Sequence, residues 1–257
     1  MTYEQREIPF AAAMLDLADA LGQVDPGQRL ERLTAHCQAL TPVSAATALV
    51  IEGGDRQVWA ATPPDVSDGL TGCDSWESGS PLRDCHHLGR PIPEVPLAHP
   101  YARACWPRYA PAARDSGFLA VAAWPLSHDG TAYGALCLLS QRPGQLGSTT
   151  ERIASALARA TAIGLAHHQA LAEQRRLAGQ LQRALDSRTV IEQAKGILAE
   201  RHDIALQDAF EMLRRTSRNS QTPLRELAQT IIAAPRERSA APPQTPPSPP
   251  LARDKAE

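Results

Sequence analysis

Two groups of residues in this sequence have types and spacings that could do chemistry. The first is Cys85-His86-His87, with Cys73 and His99 as further partners: a thiol and imidazoles of the kind that ligate zinc. Adjacent residues rarely hold one metal together, and the short paired Cys/His spacings of structural zinc sites are missing. The expectation is a loop thiol beside two exposed imidazoles. The second group is cationic: Arg188, Lys195, Arg201, Arg214, Arg215, Arg218 and Arg225. Glu192, Glu200, Asp203, Asp208, Glu211 and Glu226 share the same stretch and leave it barely basic, where a dedicated nucleic-acid domain shows a stronger excess. Clustering favours a phosphate ligand, above all at Arg214, Arg215 and Arg218. The competing reading of that trio is a solvated helix C-terminus, where cations complement the macrodipole. No phosphate-cradling glycine loop and no GxSxG occurs. Asp55, Asp65, Asp68 and Asp74 are scattered in turns, where Asp is common for backbone reasons. No catalysis is expected.

The cations sit on a stretch running from Leu181 to Ala234 that reads as three short helices. Leu185, Val190, Ile191, Ala194, Ile197 and Leu198 recur at helical spacing on one face, with Arg188 and Lys195 two turns apart on a neighbouring face. A second helix, 206–218, points Leu206, Ala209, Phe210 and Leu213 inward and ends in the three arginines. Phe210, the one aromatic of the stretch, is expected at the centre of its core. A third helix starts at Thr222-Pro223, an N-cap candidate followed by proline, and buries Leu224, Leu227, Ala228, Ile231 and Ile232.

These residues resemble the ANTAR domain, an RNA-binding module of bacterial antitermination regulators. The resemblance covers 183–233 and rests on Ser187, Arg188, Val190, Ile191, Gln193-Ala194-Lys195-Gly196-Ile197-Leu198, Ala209-Phe210, Leu213-Arg214-Arg215, Ser217, Leu224-Arg225 and Leu227-Ala228. Ala199 departs from it, the family usually having Met there. The resemblance implies binding to paired RNA hairpin loops in mRNA leaders, which prevents a terminator from forming. It points to Arg188, Lys195, Gly196, Arg201, Arg214, Arg215, Ser217, Arg218 and Arg225 as the RNA-contacting set. A basic helix in a small three-helix unit could also enter a DNA major groove, so a DNA-binding regulator is the alternative. A metal- or small-molecule-sensing protein with a purely structural helical C-terminus is a third reading.

Upstream, the composition of the 257-residue chain bounds the answer. It is 43% hydrophobic with net charge −2, which suits one large or two ordinary globular domains and shows no polyanion signature. No apolar run approaches the length of a membrane span, MTYEQREIPF lacks signal-peptide character, and five cysteines without CxxC pairing suit a reduced, cytoplasmic protein. After a tail at 1–8, residues 9–40 read as a helical block. Phe10, Met14, Leu17, Ala18 and Leu21 share one face, Gly22 to Gly27 is a break, and Leu30, Leu33, Cys37 and Leu40 share a second face. Residues 46–52 and 57–61 read as a hairpin, as do 117–126 and 131–139 around Asp129-Gly130. The Pro/Gly-rich stretch 62–100 reads as a long irregular loop. Trp76, Trp106 and Trp124 are expected in the core.

Helices, hairpins and a long loop in this order resemble a GAF domain, a sensory α+β fold, over 9–165. The tokens are Gly79-Ser80-Pro81-Leu82-Arg83-Asp84-Cys85, Gly89-Arg90-Pro91-Ile92, Trp106-Pro107-Arg108-Tyr109, Ala113, Gly117-Phe118, Pro125-Leu126 and Gly134-Ala135-Leu136. They look like the GAF domains that precede ANTAR domains in actinobacterial regulators. The resemblance implies a small-molecule sensor but names no ligand or cofactor.

Between the two lies a connecting helix, 149–186, with a four-three repeat at positions 153, 157, 160, 164, 167, 171, 174, 178, 181 and 185. Ile153, Leu157, Leu171, Leu181 and Leu185 make it a heptad seam, weak at Gly164, His167 and Gln174, and a dimeric coiled coil is expected. The competing reading is a helix folded back on its own sensor domain through its small residues. With no proline from Ser148 to Thr222, one helix could run into the 183–234 bundle, about 75 Å over some 50 residues. The tail at 235–257 is proline-dense and expected to be disordered. The reading is an α+β GAF sensor, a long coiled-coil helix and an all-α three-helix ANTAR bundle, in a homodimer with no membrane segment.

Overall fold

The computed structural model describes residues 3–18, 24–53, 56–70, 79–142 and 144–234, and divides the chain into two units, Met1–Arg175 and Arg176–Glu257. In the first unit α1 (Tyr3–Ala18) and α2 (Pro26–Leu40) precede β1 (Ala45–Glu52) and β2 (Arg56–Thr62). Then follow α3 (Asp65–Leu70), α4 (Pro81–Leu88), β3 (Ile92–Pro96), α5 (Pro100–Cys105) and α6 (Tyr109–Asp115). The hairpin β4 (Ala120–His128) and β5 (Thr131–Ser140) leads into α7 (Ser148–His202). The strands form one antiparallel sheet in the order β2-β1-β5-β4-β3.

Both faces of this sheet are covered, which is why its central strands read as continuous apolar runs rather than alternating ones. Ala46, Ala48, Val50, Ala122, Trp124, Leu136 and Leu138 point to one face, where α1, α2 and the start of α7 pack. Ala45, Leu49, Val121, Ala123, Ala135, Cys137 and Leu139 point to the other, beneath Leu70, Leu82, Trp106, Tyr109 and Phe118. The sheet is tight where β1 meets β5: a Cβ on Gly134 would lie 1.8 Å from the Leu49 carbonyl oxygen. In the β4–β5 turn Asp129 and Gly130 have φ of 46° and 78°. Positive φ at both turn residues is the geometry that Asp-Gly supplies.

The structure departs from four of these expectations. The helix α1 begins at Tyr3, although residues 1–8 read as a tail. The supposed loop 62–100 holds α3, α4 and β3. Helix α4 is short but well capped, with Ser80 Oγ accepting from Arg83 N at 3.3 Å, Pro81 at its start and Gly89 in the left-handed region at its end. Strand β3 carries Pro93 and Pro96, which an edge strand tolerates because its outer N–H positions need no partner. Third, the front of the heptad seam is not available to a partner. Leu157 is fully buried and Ile153 packs beside it on the core of the sheet, with Ala154, Ala158, Ala160, Ala162 and Leu165. A 3-4 spacing buries a helix against a sheet as readily as against another helix. Fourth, Gly164 is a close approach rather than a weak link. A Cβ there would lie 2.5 Å from the Leu17 carbonyl oxygen and 2.7 Å from Arg29 Cζ.

Trp106 and Trp124 are core residues as expected, while Leu21, Cys73, Trp76 and the tail from 235 lie outside the described residues.

Candidate nucleic-acid interface

The second unit is built from the last part of α7, α8 (Leu206–Ser220) and α9 (Leu224–Ala233). Non-glycine residues in the left-handed region make both corners: Asp203 (φ 52°) after α7 and Gln221 (φ 52°) after α8. Each stops its helix by turning the next amide back onto the last turn. Ile204 N donates to the Ala199 carbonyl at 3.1 Å, and Thr222 N to the Ser217 carbonyl at 3.2 Å. The third helix begins one residue later than expected: Pro223 occupies the N-cap with no side-chain cap, and Leu224 is the first helical residue.

The core of the unit is small. Ala194, Leu198, Ala209, Leu213 and Ala228 are buried, and Val190, Ile191, Ala199, Ile204, Met212, Leu224, Leu227 and Ile231 pack around them. Five expected core residues lie outside this cluster, Ile232 at 37% exposure and the half-buried Ile197 among them. Leu206 is 55% exposed and Leu185 60% exposed, and Phe210 is half-buried outside the core cluster. The inner ridge of α8 is Ala209, Leu213 and the half-buried Ser217. Phe210 stands one residue round from that ridge, with the Arg214 guanidinium 5.8 Å from its ring centroid.

The cations lie on all three helices. Arg188 on α7 and Arg214, Arg215 and Arg218 on the last two turns of α8 are exposed. Arg214 Nη1 lies 3.3 Å from the Glu211 carboxylate, an exposed i,i+3 pair of little strength. Lys195 is more engaged: its side chain is 19% exposed and its Nζ lies 2.5 Å from the Glu192 carboxylate. Gly196 beside it is exposed, and a Cβ there would meet nothing within 4 Å.

Other residues of the sequence-based set have structural roles. Arg201 Nη2 donates to the Ala234 carbonyl at 3.1 Å, tying the end of α7 to the end of α9. Ser217 Oγ donates to the Thr222 carbonyl at 2.7 Å and holds the α8–α9 corner. Arg225 is half-buried in the first turn of α9. Sequence reasoning places Phe210 in the core, whereas it is half-buried beside Arg214 and outside the core cluster. The four-residue spacing of Leu206, Phe210, Arg214 and Arg218 is the signal that could have found it.

In the first unit, Cys85 is buried on α4, its thiol donating to the Arg90 carbonyl at 3.5 Å, and burial pushes its pKa up to about 12. Cys85 is therefore a buried helix residue rather than the expected loop thiol, and with His86 half-buried and His87 exposed only one of the two imidazoles matches expectation. Burial lowers the His86 pKa, favouring the neutral ring. Among the described residues no group of three His, Cys, Asp or Glu side chains is disposed to hold a metal ion. An open groove of about 470 Å³ is lined by Arg83, Asp84, His87, Leu88 and Tyr101. No described helix is long and apolar enough to cross a membrane.

An antiparallel sheet layered by helices on both faces is followed along the chain by a small helical unit that displays cations. The family model of the GAF domain matches residues 25–165 and that of the ANTAR domain residues 179–232, and the chain belongs to the GAF-domain proteins with an ANTAR domain as its output. Both domains are regulatory rather than catalytic. No curated protein matches the chain. Among solved structures it is similar to the GAF domain of an Acinetobacter phosphoenolpyruvate-protein phosphotransferase (13% identity, 66% of this chain and 97% of that one, TM-score 0.47). It is also similar to the corresponding Coxiella burnetii domain (13% identity, 67% of this chain and 99% of that one, TM-score 0.45).

Proposed function

We propose that this protein is an RNA-binding transcription antitermination regulator whose ANTAR unit binds RNA hairpin loops under the control of its GAF sensor. The observation that carries this reading is the ANTAR match at 179–232 together with the exposure of Arg214, Arg215 and Arg218 along the last turns of α8. RNA loops are recognised through unstacked bases combined with backbone charge. The exposure of Arg188, Arg214, Arg215 and Arg218, all outside the core cluster, supports their supplying that charge. Lys195 joins them once RNA displaces Glu192.

Gly196 adds support. Glycine inside a helix costs roughly 1 kcal/mol relative to alanine. Nothing within the unit requires it there, because a Cβ would meet open space. Close approach of the RNA backbone next to Lys195 is a reason to keep it.

The sensor takes a small molecule, and the active species is a homodimer. The part of the heptad seam left for a partner is Leu171, Leu181 and Leu185, joined by Leu177, all exposed along α7 in the single chain. A long exposed helix with such a stripe needs a partner.

The test is competition binding with the full chain. Hairpin RNA should displace a labelled hairpin at far lower concentration than duplex DNA of the same length. Equal or stronger competition by the duplex overturns the RNA reading in favour of a DNA-binding one.

A further inference from the structure

On α8, Leu206, Phe210, Arg214 and Arg218 follow at intervals of four and so form one ridge. It runs beside the buried ridge of Ala209 and Leu213. On the far side of that buried ridge Met212 packs on the core, whereas Phe210 does not, although it is the larger side chain and the one aromatic of the unit's helices. The ridge therefore presents an exposed aliphatic residue, a half-buried ring and two exposed guanidinium groups in a row.

We propose that the Phe210 ring is a stacking platform for one unpaired base of the bound RNA, with Arg214 and Arg218 holding the phosphates beside that base. This rests on the RNA-binding reading above and names the element of RNA that the ridge takes. Arg214 already lies over the ring, 5.8 Å from its centroid, so that face admits a planar group. What holds Arg214 there is weak: the cation–π contact and an exposed pair with Glu211 at 3.3 Å. An arriving base takes the ring face, and the freed guanidinium turns to phosphate. A base carries an apolar face and a phosphate within one nucleotide, which matches a ring with cations one and two turns further on. A second copy of this chain paired ridge to ridge would bring its own arginines and meet like charge.

The experiment compares the full-length protein with Phe210→Leu, Phe210→Tyr and Arg218→Ala on a hairpin RNA recovered by crosslinking to the wild type. The RNA carries 2-aminopurine at each loop position in turn. Phe210→Leu keeps an apolar side chain for the half-buried contacts and removes the aromatic face, so it separates stacking from folding. It should weaken binding by roughly 5- to 150-fold, the loss of one base stack, with the salt dependence unchanged. Phe210→Tyr should bind like the wild type. Arg218→Ala should weaken binding and flatten its salt dependence. One loop position should change 2-aminopurine fluorescence on binding to the wild type and not on binding to Phe210→Leu. Equal affinity and equal fluorescence for wild type and Phe210→Leu overturn the platform and leave the RNA reading standing. So does a Phe210→Leu variant that alters sedimentation of the dimer but not RNA affinity. A wild-type protein that binds no RNA overturns both readings.

Discussion

Two glycines of one helix should respond to the same substitution with opposite signs. In α7 a Cβ on Gly164 would lie 2.5 Å from the Leu17 carbonyl oxygen and 2.7 Å from Arg29 Cζ, whereas on Gly179 it would meet nothing within 4 Å. Alanine gains about 0.8–1 kcal/mol over glycine in a helix interior. Gly179→Ala should realise that gain and stabilise the second unit by about 1 kcal/mol. Gly164→Ala starts with the same gain, but α1 and α7 must part by most of an ångström to relieve the contact with Leu17. The guanidinium of Arg29, itself buried and bonded to the Leu17 carbonyl, must move with them. Overpacking of this kind costs about 1–3 kcal/mol, and disturbing a buried charged hydrogen bond adds about 1.5–3 kcal/mol. The net expectation for Gly164→Ala is a loss of about 2–4 kcal/mol. For a unit of this size that is a fall in melting temperature of roughly 4–16 °C. Calorimetry of the full chain, following the transition of each unit, measures both. Equal shifts for the two variants, or a stabilised Gly164→Ala, would show that α7 does not approach α1 as closely as described.

Three further outcomes are expected. Leu213→Ala should cost about 2–5 kcal/mol in the second unit, because Leu213 sits at the centre of its small core, and a melting curve that barely moves would contradict that placement. Gly196→Ala should stabilise the same unit by about 1 kcal/mol yet weaken RNA binding, and a variant that binds RNA as tightly as wild type would remove Gly196 from the interface. Leu181→Lys with Leu185→Lys should shift the sedimentation of the protein towards the monomer and leave the melting of the first unit unchanged, and an unaltered dimer would place the self-association elsewhere.

Much of this architecture was legible in the residues. Asp129-Gly130 marked the β4–β5 hairpin because its turn needs positive φ twice, and the periodicity of 181–234 marked three helices because each buries one stripe. The cations of α8 were legible as a cluster for the same reason: an inner ridge at Ala209 and Leu213 leaves Arg214, Arg215 and Arg218 outside. What failed did so where two physical situations share one pattern. Ile153 and Leu157 repeat at the spacing of a coiled-coil seam, but a helix laid on a sheet has the same spacing, and only the alanines and Gly164 around them pointed to close packing. Phe210 was assigned to the core on size, yet it lies one residue off the inner ridge, where the smaller Met212 on the opposite flank is the one that packs. Helix α4 and strand β3 were hidden by prolines that read as loop but serve as a helix start and an edge strand. Sequence types alone also could not show that Lys195 is held by Glu192 or Arg201 by the Ala234 carbonyl.

Sequencing of RNA crosslinked to the protein in cells tests most directly whether the ANTAR unit of this chain binds RNA through hairpin loops. Crosslinks should concentrate in loops of paired hairpins in mRNA leaders, upstream of terminators. They should fall sharply when Arg214 and Arg215 are both replaced by alanine. Crosslinks no more frequent than those of an unrelated protein, or spread evenly over transcripts and indifferent to the two arginines, would contradict such binding.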